Sequence, residues 1–188
     1  EQPELQKAPT MCGRFTLRTP AKDVAQFFGV AVPDFEPRYN IAPSQPVAAV
    51  RLSPAGQQRE LAMLRWGLVP SWADDAKIGY RMINARAETV AKKPAFRRAF
   101  ARRRCLIAAD GFYEWQKIDG RKQPYLIHRK DDRPFAFAGL WERWQGDGPE
   151  IESCTIIVTE ANDLLEPIHD RMPVILEPRD FGVWLDPA

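Results

Sequence analysis

At 188 residues, with 45% hydrophobic side chains and a formal net charge of only +2, the chain has the length and apolar content for one domain with a substantial core. That excludes a disordered chain and a global polycation, so any surface for nucleic acid must come from local clustering of basic residues. Three cysteines, Cys12, Cys105 and Cys154, odd in number and far apart, exclude a disulfide framework and a CxxC knuckle and suit a reducing compartment. The two histidines, His128 and His169, form no HExxH pair, and neither a P-loop nor a GxSxG elbow occurs, so no metal and no cofactor is expected. No apolar run approaches ~18 residues and residues 1–10 lack a signal-peptide core, which predicts a cytoplasmic protein with no membrane contact.

Residues 1–10 (EQPELQKAPT) are polar and aperiodic. They read as an extension, whether a tag remnant, an over-called start or a propeptide, ahead of a single domain over residues 11–188. Met11-Cys12-Gly13-Arg14-Phe15 follows. If Met11 is the biological start, the small residue after it lets the methionine be trimmed, and Cys12 then carries a free α-amine beside its thiol. Such groups ordinarily titrate near ~7.7–8.0 and ~8.5. The amine can condense with an aldehyde and the thiol can close a five-membered thiazolidine, which an internal cysteine cannot do. The alternative is a buried cysteine that opens a strand.

Phe15 to Leu17 continue that strand. Thr19-Pro20 predicts a helix start with Thr19 as N-cap; Val24, Phe27 and Phe28 give it one apolar face, and Gly29 ends it. Arg38 to Gln45 reads as a polar loop. Strands are expected over Val47–Leu52 and Glu60–Trp66 with a Pro54-Ala55-Gly56 turn, then an ordered aromatic loop from Trp66 to Trp72. Met82–Thr89 leads to a helical piece over Pro94–Arg102. Further strands are expected over Arg103–Ala108, Phe112–Lys117 and Tyr125–Arg129, the last two joined through Asp119-Gly120. Phe135–Trp141 and Thr155–Thr159 add two more. A short helix over Asn162–Glu166, a strand over Val174–Leu176 and a final helix near Arg179–Leu185 complete about eight strands and three or four helices, an α+β chain with a mainly antiparallel, barrel-like sheet.

Four places carry candidate chemistry. Alternation puts Phe112 and Glu114 on one strand face and Tyr113 and Trp115 on the other; a carboxylate among aromatics loses hydration and shifts towards proton-transfer range, unless it is only a solvated or ion-paired strand residue. His169, next to Asp170, is either a proton shuttle or a hydrogen-bonded structural residue; His128, among basic residues, reads as surface. Asn84 and Arg86 share a face if extended, which suits holding an amine and a phosphate, or are a turn amide and a solvated guanidinium. Lys92, Lys93, Arg97, Arg98, Arg102, Arg103 and Arg104 run without an acid between Trp66 and Trp72 on one side and Phe112, Tyr113 and Trp115 on the other. Such a run is a solvated face or, with the aromatics, a groove for single-stranded nucleic acid.

The segments MCGRF, RYNIAPSQ, WGLVPSW, INARAET, CLIAADGFYEW, TIIVT and IHDRMPVIL occur in that order. With them the chain resembles the SOS response-associated peptidase (SRAP) family of abasic-site processing proteins from Met11 to its C-terminus. The resemblance implies an α+β fold with a mainly antiparallel, β-barrel-like core, several short helices and a cleft for single-stranded DNA with abasic sites. It implies a covalent thiazolidine between the N-terminal cysteine and the ring-opened deoxyribose aldehyde. Residue by residue, it implies that Cys12 is the nucleophile, that Asn84 holds its amine, that Glu114 assists proton transfer and that His169 is acid/base on the sugar. Arg14, Asn40, Pro43, Trp72, Arg86, Thr159 and Arg171 would line the DNA cleft, with contacts near Trp72 and Ala91–Phe96 least fixed by the resemblance. A monomer, nucleoid-associated when on DNA, is expected. Two other readings stand beside this one: a thiol (auto)peptidase that cleaves before Cys12, and a non-catalytic single-stranded nucleic-acid binding module.

Overall fold

The computed structural model describes residues 12–53 and 58–187. Strand β1 (Phe15–Leu17) leads into helix α1 (Ala21–Phe28), whose buried Val24, Ala25 and Phe28 form the expected apolar face; Gly29 ends it in the left-handed region at φ 67°. Strands β2 (Arg38–Ile41), β3 (Pro46–Leu52) and β4 (Arg59–Trp66) follow. The expected Pro54-Ala55-Gly56 turn lies outside the described residues. A 3₁₀ segment, Ala76–Arg81, precedes β5 (Asn84–Arg86), α2 (Ala87–Val90) and α3 (Arg97–Arg102). Next come β6 (Arg104–Ala109), β7 (Gly111–Ile118), β8 (Arg121–Ile127), β9 (Phe135–Trp144) and β10 (Ile151–Glu160). Short β11 (Arg171–Pro173), β12 (Ile175–Leu176) and α4 (Phe181–Leu185) end the described chain.

Five strands close on themselves. β3 pairs antiparallel with β4 and β6, β9 pairs antiparallel with β6 and β10, and a parallel β4–β10 pairing completes the ring. Its strands carry near-continuous buried apolar runs, such as Val47–Val50 and Cys105–Ala109, because interior side chains fill one face while α3, α4 and the second sheet cover much of the other. That second sheet has the order β2-β1-β7-β8. Aromatic edges fasten it to the barrel: Phe15 packs 5.2 Å from Trp66 and 5.6 Å from Phe137, and Phe112 lies 6.0 Å from Phe137. Phe15 is three residues from Cys12, so this contact fixes where the chain begins its first strand.

Three local expectations are corrected. Arg38–Ile41 is a strand, not part of a loop: Ile41 is buried opposite Phe15, and the polar residues between suit the sheet edge. Thr19 does not cap α1; its amide and hydroxyl both donate to Asp110, and Pro20 stands at the N-cap. Asn162–Glu166 forms turns, not a helix. The Glu166 and His169 amides donate to Asn162 and Leu165 in helical fashion, but Pro167 has no N–H and interrupts the ladder. By contrast, Asp119 and Gly120 both take positive φ, 48° and 79°, as a two-residue hairpin turn requires.

Candidate active site

Strand β1 brings Cys12 beside β7, since Phe15 pairs with Phe112 and the Tyr113 amide donates to Arg14. The result is a hydrogen bond of 2.9 Å from the Cys12 nitrogen to Glu114 Oε1. Cys12 is 1% exposed and Glu114 2%, as expected for the inward face of β7 that also buries Phe112. Burial, and then the Glu114 carboxylate, push the Cys12 thiol well above its ordinary range. Burial also pushes Glu114 up, against the pull of the Cys12 N–H and of His169. The site therefore sets a carboxylate of raised proton affinity directly against the Cys12 nitrogen.

Glu114 forms one wall of an open cavity of about 560 Å³, which Gly13, Arg14, Pro43, Ile168 and His169 also line. Cys12 lies just behind Gly13 and Glu114. The His169 ring is held from one side: the Arg171 amide donates to Nδ1 at 3.1 Å, which leaves the ring hydrogen on Nε2. Asp170 Oδ1 is 3.0 Å from the same Nδ1, a pairing that needs a hydrogen on Nδ1 and so competes with the Arg171 amide. The two contacts therefore exclude each other, and the backbone donor orients the ring.

The remaining expected residues do not line this cavity. Asn40 accepts from Arg14 at 3.4 Å on the neighbouring strand β2. Asn84 and Arg86 occupy alternate positions of β5, in register with Ile156 and Val158 of β10, so they share a face as expected. Thr159 lies opposite Met172, and Arg171 is ion-paired to Glu88. Trp72 is 59% exposed in the loop after β4. That loop is held down where Gly67, at φ 130°, meets Gly79 so closely that a Cβ would come within 2.6 Å of the Gly79 oxygen. In the basic run, Arg103 pairs with Glu142 at 3.0 Å and Arg104 lies over the Trp184 ring, while Lys92, Lys93, Arg97, Arg98 and Arg102 are exposed.

Sequence reasoning missed Lys117 and Lys122 as cavity residues and offered Trp115 only as an aromatic flanking the basic run. Alternation along the hairpin and its Asp119-Gly120 turn held the signal, because they place Lys117 opposite Lys122. A larger cavity of about 730 Å³ opens beside Arg18, Asp23 and Arg133. Its buried carboxylate, Asp110, already accepts from Thr16, Arg18 and Thr19, and among the described residues no cysteine or histidine lines it. Among the described residues no group of His, Cys, Asp and Glu is arranged to hold a metal, and no helix is long and apolar enough to cross a membrane.

The family model described as SOS response associated peptidase (SRAP) matches residues 11–188. The abasic site processing protein YoqW of Bacillus subtilis (strain 168) is 48% identical over 183 residues, covering 94% of this chain and 81% of that protein. YedK of Escherichia coli (strain K12), with the same descriptive name, is 34% identical over 182 residues, covering 93% and 79%. For HMCES of Xenopus tropicalis, also so described, the identity is 35% over 184 residues, covering 81% of this chain and 54% of that one. A solved Bacteroides thetaiotaomicron protein has the same fold, with a TM-score of 0.86 and 29% identity over 94% of this chain and 82% of its own. A match from Met11 to the last residue, on a barrel that sets Cys12 against Glu114, places the chain in the SRAP family.

Proposed function

We infer that the chain, once it begins at Cys12, captures abasic sites in single-stranded DNA as a covalent thiazolidine. The observation that carries this reading is the 2.9 Å contact between the Cys12 nitrogen and Glu114. Here that nitrogen is a peptide N–H, and it stands in for the α-ammonium of the processed chain. The names of YoqW, YedK and HMCES, each an abasic site processing protein, support the same substrate.

The residues perform the steps in order. Glu114 takes a proton from the ammonium and frees its lone pair. The nitrogen adds to the C1′ aldehyde carbon of the ring-opened sugar, while His169 relays the displaced proton to the former carbonyl oxygen. Protonated Glu114 then gives its proton to the departing hydroxyl, releasing water and leaving an iminium. The carboxylate next takes the thiol proton, and sulfur adds to C1′ to close the ring. Aldehyde, amine and thiol become thiazolidine and water, with no external oxidant or metal. Asn84 would steady the amine, and Arg14, Asn40, Pro43, Trp72, Arg86, Thr159 and Arg171 would guide the strand. Residues 11–188 would act as one monomeric domain in the cytoplasm, on the nucleoid when bound.

The test is a denaturing gel of Met11-start protein with an abasic oligonucleotide. A retarded band is expected for wild type and absent for Cys12→Ala; equal crosslinking by a protein with a blocked N-terminus would falsify the aminothiol mechanism. One observation favours a preceding autopeptidase step: Cys12 sits at φ 34°, in a region costly for residues other than glycine, about 1–3 kcal/mol. That torsion exists only while a residue precedes it. Intact-mass spectrometry should show loss of the preceding residues that depends on Cys12; loss at the same rate in Cys12→Ala would assign it to another enzyme.

A further inference from the structure

The β7–β8 hairpin carries groups that the capture chemistry does not use. Lys117 and Lys122 stand directly opposite each other across the ladder, both exposed, and both line the cavity that holds Glu114 and His169. Like charges so placed weaken a hairpin. Among the described residues neither lysine has a carboxylate partner, so the repulsion goes unanswered inside the protein. On the same face of β7, two and four residues back, lie Trp115 and Tyr113. Their rings are 6.3 Å apart and tilted by 36°, and the Tyr113 hydroxyl is pinned to the Tyr39 carbonyl at 3.1 Å. Trp115 faces the cavity, opposite Pro124. A strand rise of about 3.3 Å per residue separates Trp115 from Lys117 by roughly 6.6 Å. One ledge therefore runs along this face of β7, ring, ring, then two cations, and its Trp115, Lys117 and Lys122 end lines the cavity beside Glu114.

We propose that this ledge holds one nucleotide flanking the abasic sugar, with its base stacked on Trp115 and its phosphate between Lys117 and Lys122. The proposal rests on the reading that the cavity receives abasic DNA. A phosphate between the lysines removes the repulsion that the free protein bears, and an aromatic face accepts any base, so the contact positions the strand without reading its sequence. Because Trp115, Lys117 and Lys122 all lie on the turn side of Glu114 in the hairpin, only one flank of the abasic site touches them. Trp115, Lys117 and Lys122 are thus positioning residues, and their loss acts on binding and leaves the chemistry intact.

Single-turnover crosslinking of Met11-start protein to abasic oligonucleotides, trimmed one nucleotide at a time from the 5′ or the 3′ side, tests this. Lys117→Gln/Lys122→Gln should raise the half-saturating concentration and flatten its logarithmic salt dependence by about 0.7, the value for one phosphate. The maximal rate should stay at the wild-type value. Trp115→Leu should weaken binding by about 5- to 150-fold, the range for one lost stack. Lys22→Gln/Lys130→Gln, exposed lysines away from the cavity, should change none of this. Trimming one flank should erase the difference between variant and wild type, and trimming the other should preserve it. Unchanged binding in the lysine variant, a defect that survives trimming of both flanks, or a fall confined to the maximal rate would each overturn the proposal. Absence of any Cys12-dependent band in wild type would instead sink the capture reading, and the salt slope on undamaged single strands would still decide the ledge.

Discussion

Glu114→Gln is the substitution that separates chemistry from folding at this site. It keeps the side chain's volume and an oxygen to accept from the Cys12 nitrogen at 2.9 Å, but removes the charge and the capacity to accept a proton. Loss of a positioned general base costs roughly 10²- to 10⁴-fold in rate, or about 2.7–5.4 kcal/mol of barrier at ~1.36 kcal/mol per tenfold. The assay is the single-turnover rate of band formation at saturating abasic oligonucleotide, measured across pH. In wild type the acid limb should lie above the ordinary carboxylate value of ~4.3, because burial pushes Glu114 up; in the variant that limb should vanish. The stability sign runs the other way. A carboxyl whose folded affinity for protons is raised contributes stability below its unfolded pKa and loses it as pH rises through the folded one. At pH 7 the ionised group therefore weakens the fold, and Glu114→Gln should match or exceed wild type in thermal stability. A variant that crosslinks at the wild-type rate with an unchanged pH profile would refute the proton-transfer role. A variant that is slow only because it is unfolded would refute the stability argument.

Four further outcomes are expected. Iodoacetamide, which needs thiolate, should label Cys12 in the free folded protein far more slowly than a small-molecule thiol at pH 7, because burial and Glu114 keep the thiol protonated; equal rates by mass spectrometry would contradict this. Phe15→Ala removes a fully buried ring that touches Trp66 and Phe137 and should cost about 3–5 kcal/mol in urea unfolding, with capture lost as β1 loosens. Asp110 is pushed up by burial but pulled further down by donors from Thr16, Thr19 and Arg18, so its stabilisation should be present above ~3.9 and lost as pH falls through its lower folded value. Asp110→Asn should cost about 1.5–3 kcal/mol at neutral pH and remove that acid-side loss. Trp72→Ala should weaken single-strand binding by about 1–3 kcal/mol if a base stacks there, and wild-type binding should fall steeply with salt if Lys92, Lys93, Arg97, Arg98 and Arg102 contact phosphates; salt-independent binding would make that run a solvated face.

Much of the site was legible because its pattern is local. Period-two alternation put Phe112 and Glu114 on one strand face, and both are buried. Gly29 and Asp119-Gly120 marked a helix end and a turn through the left-handed conformations those positions need. What the chain conceals is long-range pairing. The parallel β4–β10 contact that closes the barrel joins Arg65 to Ser153, and no adjacent residue announces it. Arg38–Ile41 looks like a loop because only Ile41 reports its burial. The second hairpin strand reads as starting at Tyr125, since Pro124 and the charges before it discourage a strand. Pro124 is tolerated because β8 is a sheet edge, where a missing N–H breaks no necessary ladder bond. That shortened strand is what hid Lys122 from its partner.

The order of bond formation follows from which nucleophile the fold suppresses. Both lie on Cys12, yet the thiol is buried and held protonated, while the nitrogen is presented to a carboxylate. In the proposed mechanism an electrophile reaching the cavity would therefore meet nitrogen first, and only one that forms an iminium there would persist long enough to meet sulfur. Once the C–N bond exists, the thiol is tethered to its target carbon, and effective concentration makes up for weak intrinsic nucleophilicity. Suppressing the thiolate in the resting state also slows oxidation, which tracks thiolate character and exposure. On the proposed mechanism, aldehyde selectivity and thiol protection thus share their causes, the burial of Cys12 and the placement of Glu114 beside it.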